Sequence, residues 1–258
     1  SVRDYTVEAG RPDTITAEKM AGIAMGHQGL CVTHLPQIAA MADKHFFISK
    51  SERDGKTVAV ESDKVLCSIG RRANVQGIGL ENIGVETTRA GVKTDAQCRT
   101  NVLNCYAAGD VNGVSMLAHT AYRESEVAVN TMLGKKDTMR YHAIPSVIYT
   151  DPEVASVGMS EEAAKAAGIE YECKKLSMRY AGRFVAENEG DGLCKILVDK
   201  KHRNVIGVHM LGTYSSEIIW GAAEMIETEL RVVDAREIVF PHPTVSEIIR
   251  EVLWAFED

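Results

Sequence analysis

The stretch Pro241-His242-Pro243-Thr244-Val245-Ser246-Glu247 sets one imidazole between two prolines, with a carboxylate five residues further on. Imidazole takes up and releases a proton near neutral pH, and a carboxylate bonded to it fixes its tautomer and favours the charged ring, a pairing suited to general acid/base chemistry. Each proline fixes its own φ and pushes the residue before it, Phe240 or His242, toward extended backbone, so the ring rides on a stiff chain. The same residues have a plainer use. Thr244-x-x-Glu247 is the spacing of a capping box, in which the two side chains satisfy open N–H groups at a helix start. Residue types and spacing leave both uses open.

A second candidate is the apolar run 104–111, NCYAAGDV. Such a run predicts a buried strand, and a carboxylate just past the C-terminal end of a strand faces the crevice where α/β sheets bind ligands. The acceptor oxygens of Asp110 suit sugar-like hydroxyls, whereas the plainer reading of Gly109-Asp110 is a turn. DKVLCSIG, 63–70, predicts another buried strand, ended by Gly70 and followed by Arg71, Arg72 and Asn74 on a loop. Six cysteines, Cys31, Cys67, Cys98, Cys105, Cys173 and Cys194, show no close metal-type pairing and read as reduced thiols.

These groups need elements to hold them. Val245, Ile248, Ile249, Val252, Leu253 and Phe256 recur at helical spacing and predict a terminal helix with one buried stripe. Another helix is expected from about Met116-Leu117-Ala118-His119 to Leu133, stopped by Gly134, and its N-terminus offers open N–H groups and positive dipole charge to an electron-rich ligand. His119 reads as a packing or hydrogen-bonding residue. Further on come a strand over 146–158, a short helix capped by Ser160 and closed by Gly168, and strands at 171–178, 192–199 and 204–211. A helix over 215–230 carries Ile219, Ala222, Ala223, Ile226 and Leu230 on one side. Helices on one face of such a sheet, with another surface left apolar, point to a two-fold dimer. Toward the N-terminus a helix is expected over 14–27, a strand over 29–34 ending at His34, a helix over 36–42, a strand over 45–50 and a hairpin turn at Asp54-Gly55.

Composition bounds the function. The 258 residues are 45% hydrophobic and carry 29 Lys plus Arg against 36 Asp plus Glu, net −7, so a core is possible and no broad basic face points to nucleic acid or an anionic membrane. No stretch has the length of a membrane span, and SVRDYTVEAG lacks the basic and apolar regions of a signal peptide, so the expected location is cytoplasmic.

HPTVSE, 242–247, resembles the C-terminal His-Glu signature of the flavin- and disulfide-dependent oxidoreductases, and its surroundings resemble the dihydrolipoyl dehydrogenases among them. VAVESDKVLCSIGRRANVQGIGLENIGV, AAGD and MLAHTA are similar to the same family, which extends the resemblance over about residues 57–258. It implies His242 as acid/base toward the thiols of dihydrolipoamide on a carrier protein and Glu247 as its orienting partner, working on the flavin and redox disulfide of the other subunit of a homodimer. It also implies that Gly109 and Asp110 hold the ribityl chain of FAD, that Met116, Leu117, Ala118 and His119 face the flavin, and that Gly70 lies near NAD. Phe240 stands where this family often has a second His. Neither GxGxxG motif nor a CxxxxC pair occurs in the chain.

CVTHLPQIAAMADKHFFISK is instead close to the RecN class of DNA-repair ATPases, over roughly residues 14–57, and by that likeness His34 would match a His that approaches a nucleotide γ-phosphate. The chain holds no GxxxxGK[ST] loop to cradle phosphates. The expected organisation is therefore a RecN-like fragment (1–57), the C-terminal part of an FAD-binding domain (58–142) and an interface domain (143–258). In class this is α/β and α+β, the last part a mixed or antiparallel sheet with helices. Alternatives from other classes are a noncatalytic fusion or truncated dimerisation module and a fragment of a repair ATPase.

Overall fold

A computed structural model describes residues 52–53, 56–57, 70–187 and 190–257. The chain divides into two compact units, Ser1–Arg71 and Arg72–Asp258. In the first, β1 (Glu52–Arg53) and β2 (Lys56–Thr57) pair antiparallel on either side of the expected Asp54-Gly55 turn, with Glu52 opposite Thr57. The elements expected over 14–50, the strand leading to Gly70, His34, Cys31 and Cys67 lie outside the described residues.

The second unit opens with a loop-rich segment. A 3-10 turn at Leu80–Ile83 and isolated bridges at Thr87↔Val92 and Arg99↔Tyr106 precede a second 3-10 turn at Asp110–Asn112. The strand expected over 104–111 does not form as a ladder. Its backbone groups are satisfied locally instead: the Thr100 N–H donates to Cys105 O and the Ala107 N–H to Cys98 O, each at 3.0 Å, so the apolar run folds back on residues 98–100. Gly91 and Gly113 let two backbone segments touch. A Cβ on Gly113 would lie 2.0 Å from Ala90 O, and one on Gly91 2.4 Å from Val111 O. Helix α1 (Ala118–Met132) follows, and Gly134 turns the chain at φ 71°, close to the expected bounds. Its buried side packs Val127 and Ala128 against Cys98 and Met139, with Tyr106, Tyr141 and Ile144 at the edge.

Beyond residue 143 a five-stranded antiparallel sheet takes over. The strand expected over 146–158 is two strands, β3 (Ser146–Ile148) and β4 (Val154–Gly158), paired with Ser146 opposite Ser156 and Ile148 opposite Val154. The reason is Asp151-Pro152: proline has no N–H to give a ladder and favours a turn, so the run is divided there. Helix α2 (Glu161–Ala166) starts at Ser160, whose Oγ accepts the Ala163 N–H at 3.1 Å. Then come β5 (Tyr171–Ser177), helix α3 (Gly182–Ala186), β6 (Leu193–Asp199) and β7 (Val205–Leu211), in the spatial order β3-β4-β7-β6-β5.

Helices α4 (Ser215–Glu227), α5 (Val232–Arg236) and α6 (Glu247–Trp254) complete the unit. Helix α4 lies on β4 and β7, α6 lies on β6 and β5, and both share one apolar core with Val157, Ile196, Val208 and Met210. Every apolar position expected to face inward from the terminal helix is buried. The sheet face turned away from these helices carries one polar row between rows that hold Leu193, Leu211 and Leu197. Lys195 sits between Lys175 and His209, with Ser156 next in the row. Exposed apolar side chains include Trp220 and Trp254 on the helices, Val239 on a loop and Ile148 on β3.

Candidate functional site: a histidine–glutamate pair and a glycine–aspartate turn

Buried Val245 and Ile248 anchor the chain to the sheet core on either side of a turn, so the backbone from Thr244 to Glu247 is fixed against a packed surface. The Ile248 and Ile249 N–H groups reach back three residues, to Val245 O and Ser246 O, and the regular helix begins only at Glu247. That places the Glu247 carboxylate back over the preceding turn. Its Oε1 lies 2.9 Å from His242 Nδ1, and its Oε2 accepts the Thr244 N–H at 3.0 Å. The Thr244 hydroxyl donates to Pro241 O at 2.7 Å, so only the glutamate half of the capping box forms. One carboxylate thus bonds both the Thr244 N–H and the imidazole.

These bonds hold the Glu247 carboxyl below its ordinary value of 4.5, the Thr244 N–H first and His242 second. Glu247 is mostly covered while the His242 ring is 78% exposed. With Nδ1 engaged by the carboxylate, Nε2 is the ring atom presented outward, and an imidazole oriented in this way can exchange a proton with an external group.

The second group lies around Gly109. At φ 82° and ψ −161° its backbone is in a region essentially reserved for glycine, and Asp110 follows it on the surface at the head of a 3-10 turn. The Gly109 N–H donates to Glu124 Oε2 at 2.5 Å, and Glu124 Oε1 accepts from the Tyr141 hydroxyl at 2.7 Å. Helix α1 begins nearby in sequence with Leu117 as its N-cap and no side-chain cap on its first N–H groups. Met116 and Leu117 are half-buried beside them. His119 Nε2 meets Pro145 O at 2.7 Å, the hydrogen-bonding role expected of it, and lines a cavity of about 510 Å³ with Arg123, Met139, Trp220 and Glu227. Gly70, at φ 91°, belongs to the other compact unit.

Sequence reasoning missed Glu124. A signal was present: Thr120, Glu124, Val127 and Ala128 share one helical face, so Glu124 is a carboxyl on the stripe that must turn inward. Among the described residues no cluster of three or more His, Cys, Asp or Glu could hold a metal ion, and no helix is long and apolar enough to cross a membrane.

Two family models match the chain: pyridine nucleotide-disulphide oxidoreductase over residues 13–125, which takes in the stretch expected to be RecN-like, and the dimerisation domain of pyridine nucleotide-disulphide oxidoreductases over residues 144–253. With the antiparallel sheet and the His-Glu pair inside the second match, the chain belongs to the pyridine nucleotide-disulphide oxidoreductases. Within that class it matches the C-terminal part of dihydrolipoyl dehydrogenases. It is 41% identical to the one from Chlamydia muridarum over 192 residues, 74% of this chain and 41% of the relative. Identity to the one from Geobacillus stearothermophilus is 38% over 201 residues, 78% of this chain and 43% of the relative. The chain thus spans less than half the length of these relatives. LpdA from Mycobacterium tuberculosis aligns with a TM-score of 0.70 at 26% identity, over 77% of this chain and 44% of that one. The flavoprotein disulfide reductase RclA from Escherichia coli, in its Cu(II) complex, shares the fold at TM-score 0.70 and 24% identity, over 81% and 48% of the two chains.

Proposed function

We propose that these residues serve as the C-terminal half of a dihydrolipoyl dehydrogenase, in which His242 is the acid/base for the thiols of dihydrolipoamide carried on a partner protein and Glu247 orients it. The carrying observation is the His242 Nδ1 to Glu247 Oε1 bond of 2.9 Å beneath an exposed ring. The carboxylate stabilises the ring when it accepts a thiol proton at Nε2, which leaves a thiolate, the nucleophilic form of sulfur. The ring's exposure suits a pair that works across a homodimer on the other subunit's reaction centre, and the dimerisation-domain match supports that assembly.

FAD and NAD are the cofactors of this reading, and bound flavin would supply the two-electron chemistry between thiols and nicotinamide. The residues present fit the flavin. Asp110 stands exposed beyond a glycine-only backbone turn, an acceptor for ribityl hydroxyls, and the uncapped start of α1 at Met116–His119 offers N–H groups and positive dipole charge to the ring. Gly70 takes its place near the nicotinamide nucleotide. By this reading the 258-residue chain alone does not turn over dihydrolipoamide, because it holds no CxxxxC pair to receive the electrons.

The test is a full-length enzyme carrying these residues as its C-terminal half. His242→Gln keeps rough size and removes proton transfer, so flavin reduction by dihydrolipoamide should slow by roughly 10²- to 10⁴-fold, with a smaller loss in Glu247→Gln. An unchanged rate in the His242→Gln enzyme would dispose of the acid/base role.

A further inference from the structure

Glu124 is fully buried on the inner side of α1. A carboxyl group in that position is costly unless its oxygens are hydrogen-bonded. Among the described residues no ion pair to it is formed: the neighbouring Arg123 turns outward to Asp137 and Glu126. Its two acceptors are divided between two distant parts of the chain, the Gly109 N–H on one oxygen and the Tyr141 hydroxyl on the other. The Coulombic influence of Glu124 also reaches Cys98, whose thiol is pushed up to about 11, by burial first and by this carboxylate second.

The Gly109 bond acts on a backbone that has no side chain of its own to restrict it. Glycine at φ 82° and ψ −161° has no Cβ to restrict it, so the turn is set by what its peptide groups bind. On the far side, Gly109 O accepts the Asn112 N–H at 3.0 Å and Asp110 O accepts the Gly113 N–H at 3.1 Å. On the near side, Glu124 holds the peptide that enters the glycine. These restraints hold the backbone on both sides of the Gly109–Asp110 peptide. Tyr141 lies on the segment that leads into β3, so one carboxyl joins the turn to the approach of the sheet.

We propose that Glu124 is a positioning residue that holds the Gly109–Asp110 turn in the orientation needed to receive a polyhydroxyl ligand chain and, through Tyr141, ties that turn to the segment entering the dimerisation domain. The ligand part rests on the role given above to Asp110.

The test follows amide hydrogen exchange of the whole chain by NMR in the wild type, Glu124→Gln, Glu124→Ala and Tyr141→Phe. Glutamine keeps an acceptor for the Gly109 N–H, and alanine does not. The Gly109 amide should exchange roughly 2- to 10-fold faster in Glu124→Ala, the usual net worth of a hydrogen bond, and return close to wild type in Glu124→Gln. Amides of β6 should be unaffected, and Tyr141→Phe should speed exchange at Met139 while sparing Gly109. Equal Gly109 rates in wild type and Glu124→Ala, or a Glu124→Gln variant as fast as alanine, would overturn the proposal. Should Glu124→Ala fail to fold, wild type and Glu124→Gln decide: a Gly109 amide exchanging as fast as those of the exposed 101–104 turn in both sinks it, and protection in both upholds it.

Titrating FAD into wild type, Glu124→Ala and Asp110→Ala separates this from the functional reading. Weaker FAD binding in both variants supports the proposal and the role of Asp110 together. Unaltered binding in Asp110→Ala removes the ribityl role, and the exchange rates still decide for or against Glu124.

Discussion

Residues 72–142 and 143–257 are held together by different forces. The later segment has one continuous apolar core running from the sheet through α4 and α6, whereas the earlier one buries Cys98, Val127, Ala128 and Met139 and little else that is apolar in a single cluster. Of the four buried polar side chains among the described residues, Asn112, Thr120 and Glu124 lie in the earlier segment and only Ser215 in the later. Apolar burial is non-directional and gives bulk stability, while buried hydrogen bonds give direction at higher risk if one is lost. The segment with the glycine–aspartate turn is thus built for geometry, and the sheet domain for strength.

The largest effect should come from opening the sheet core. Phe184 is fully buried within it, so Phe184→Ala should destabilise the unit by about 3–5 kcal/mol in urea denaturation. A loss no greater than that of Val127→Ala in the small cluster would erase the distinction between the two segments.

Alkaline titration sharpens the comparison. Burial raises Cys98 from its ordinary 9.0 to about 11 and Cys194, inside the sheet core, to about 12. A thiol whose value is raised on folding contributes stability that is complete below pH 9 and is lost as pH climbs through the raised value. Tyr141 is also pushed up, by burial first and then by its bond to Glu124, and so adds to the loss around Cys98. The earlier segment should therefore loosen first, with a disulfide reagent labelling Cys98 before Cys194 as pH rises above 9. Simultaneous labelling would mean that the two segments open as one.

A smaller effect is expected at Glu247. Its lowered value means that its contribution is complete above its ordinary 4.5 and fades as pH falls through the lowered one. Glu247→Gln should cost about 0.5–1 kcal/mol near neutral pH, the net worth of an ordinary hydrogen bond, and flatten the acid arm of the stability profile. An acid arm identical to wild type would show that the Thr244 and His242 bonds do not stabilise this turn.

Legibility in the sequence followed the same division. Positions along α6 were readable because burial there obeys a single period, and Ser160 and Gly134 marked helix ends by their own chemistry. His242 and Glu247 were visible as a pair, yet spacing could not show that one carboxylate serves both the helix start and the imidazole, since that depends on where the helix begins. The run 104–111 misled because apolar content alone says nothing of a partner: residues 98–100 satisfied its backbone before any sheet could. Glu124 stayed hidden since a carboxyl on an inward stripe becomes meaningful only when Gly109 and Tyr141, far away in sequence, are known to meet it.

The order β3-β4-β7-β6-β5 carries a consequence for the speed of folding. The strands β5, β6 and β7 are successive neighbours and can zip from nearby ends, but β4 must find β7 across everything between, with Ala155 opposite Met210. Closing that long loop costs chain entropy before any contact rewards it. The meander of β5 to β7 should therefore be structured in the transition state while the β3–β4 hairpin docks late. Val157→Ala on β4 would then quicken unfolding and barely slow folding, whereas Ile196→Val on β6 would slow folding itself, a contrast that the two arms of a chevron plot can read directly.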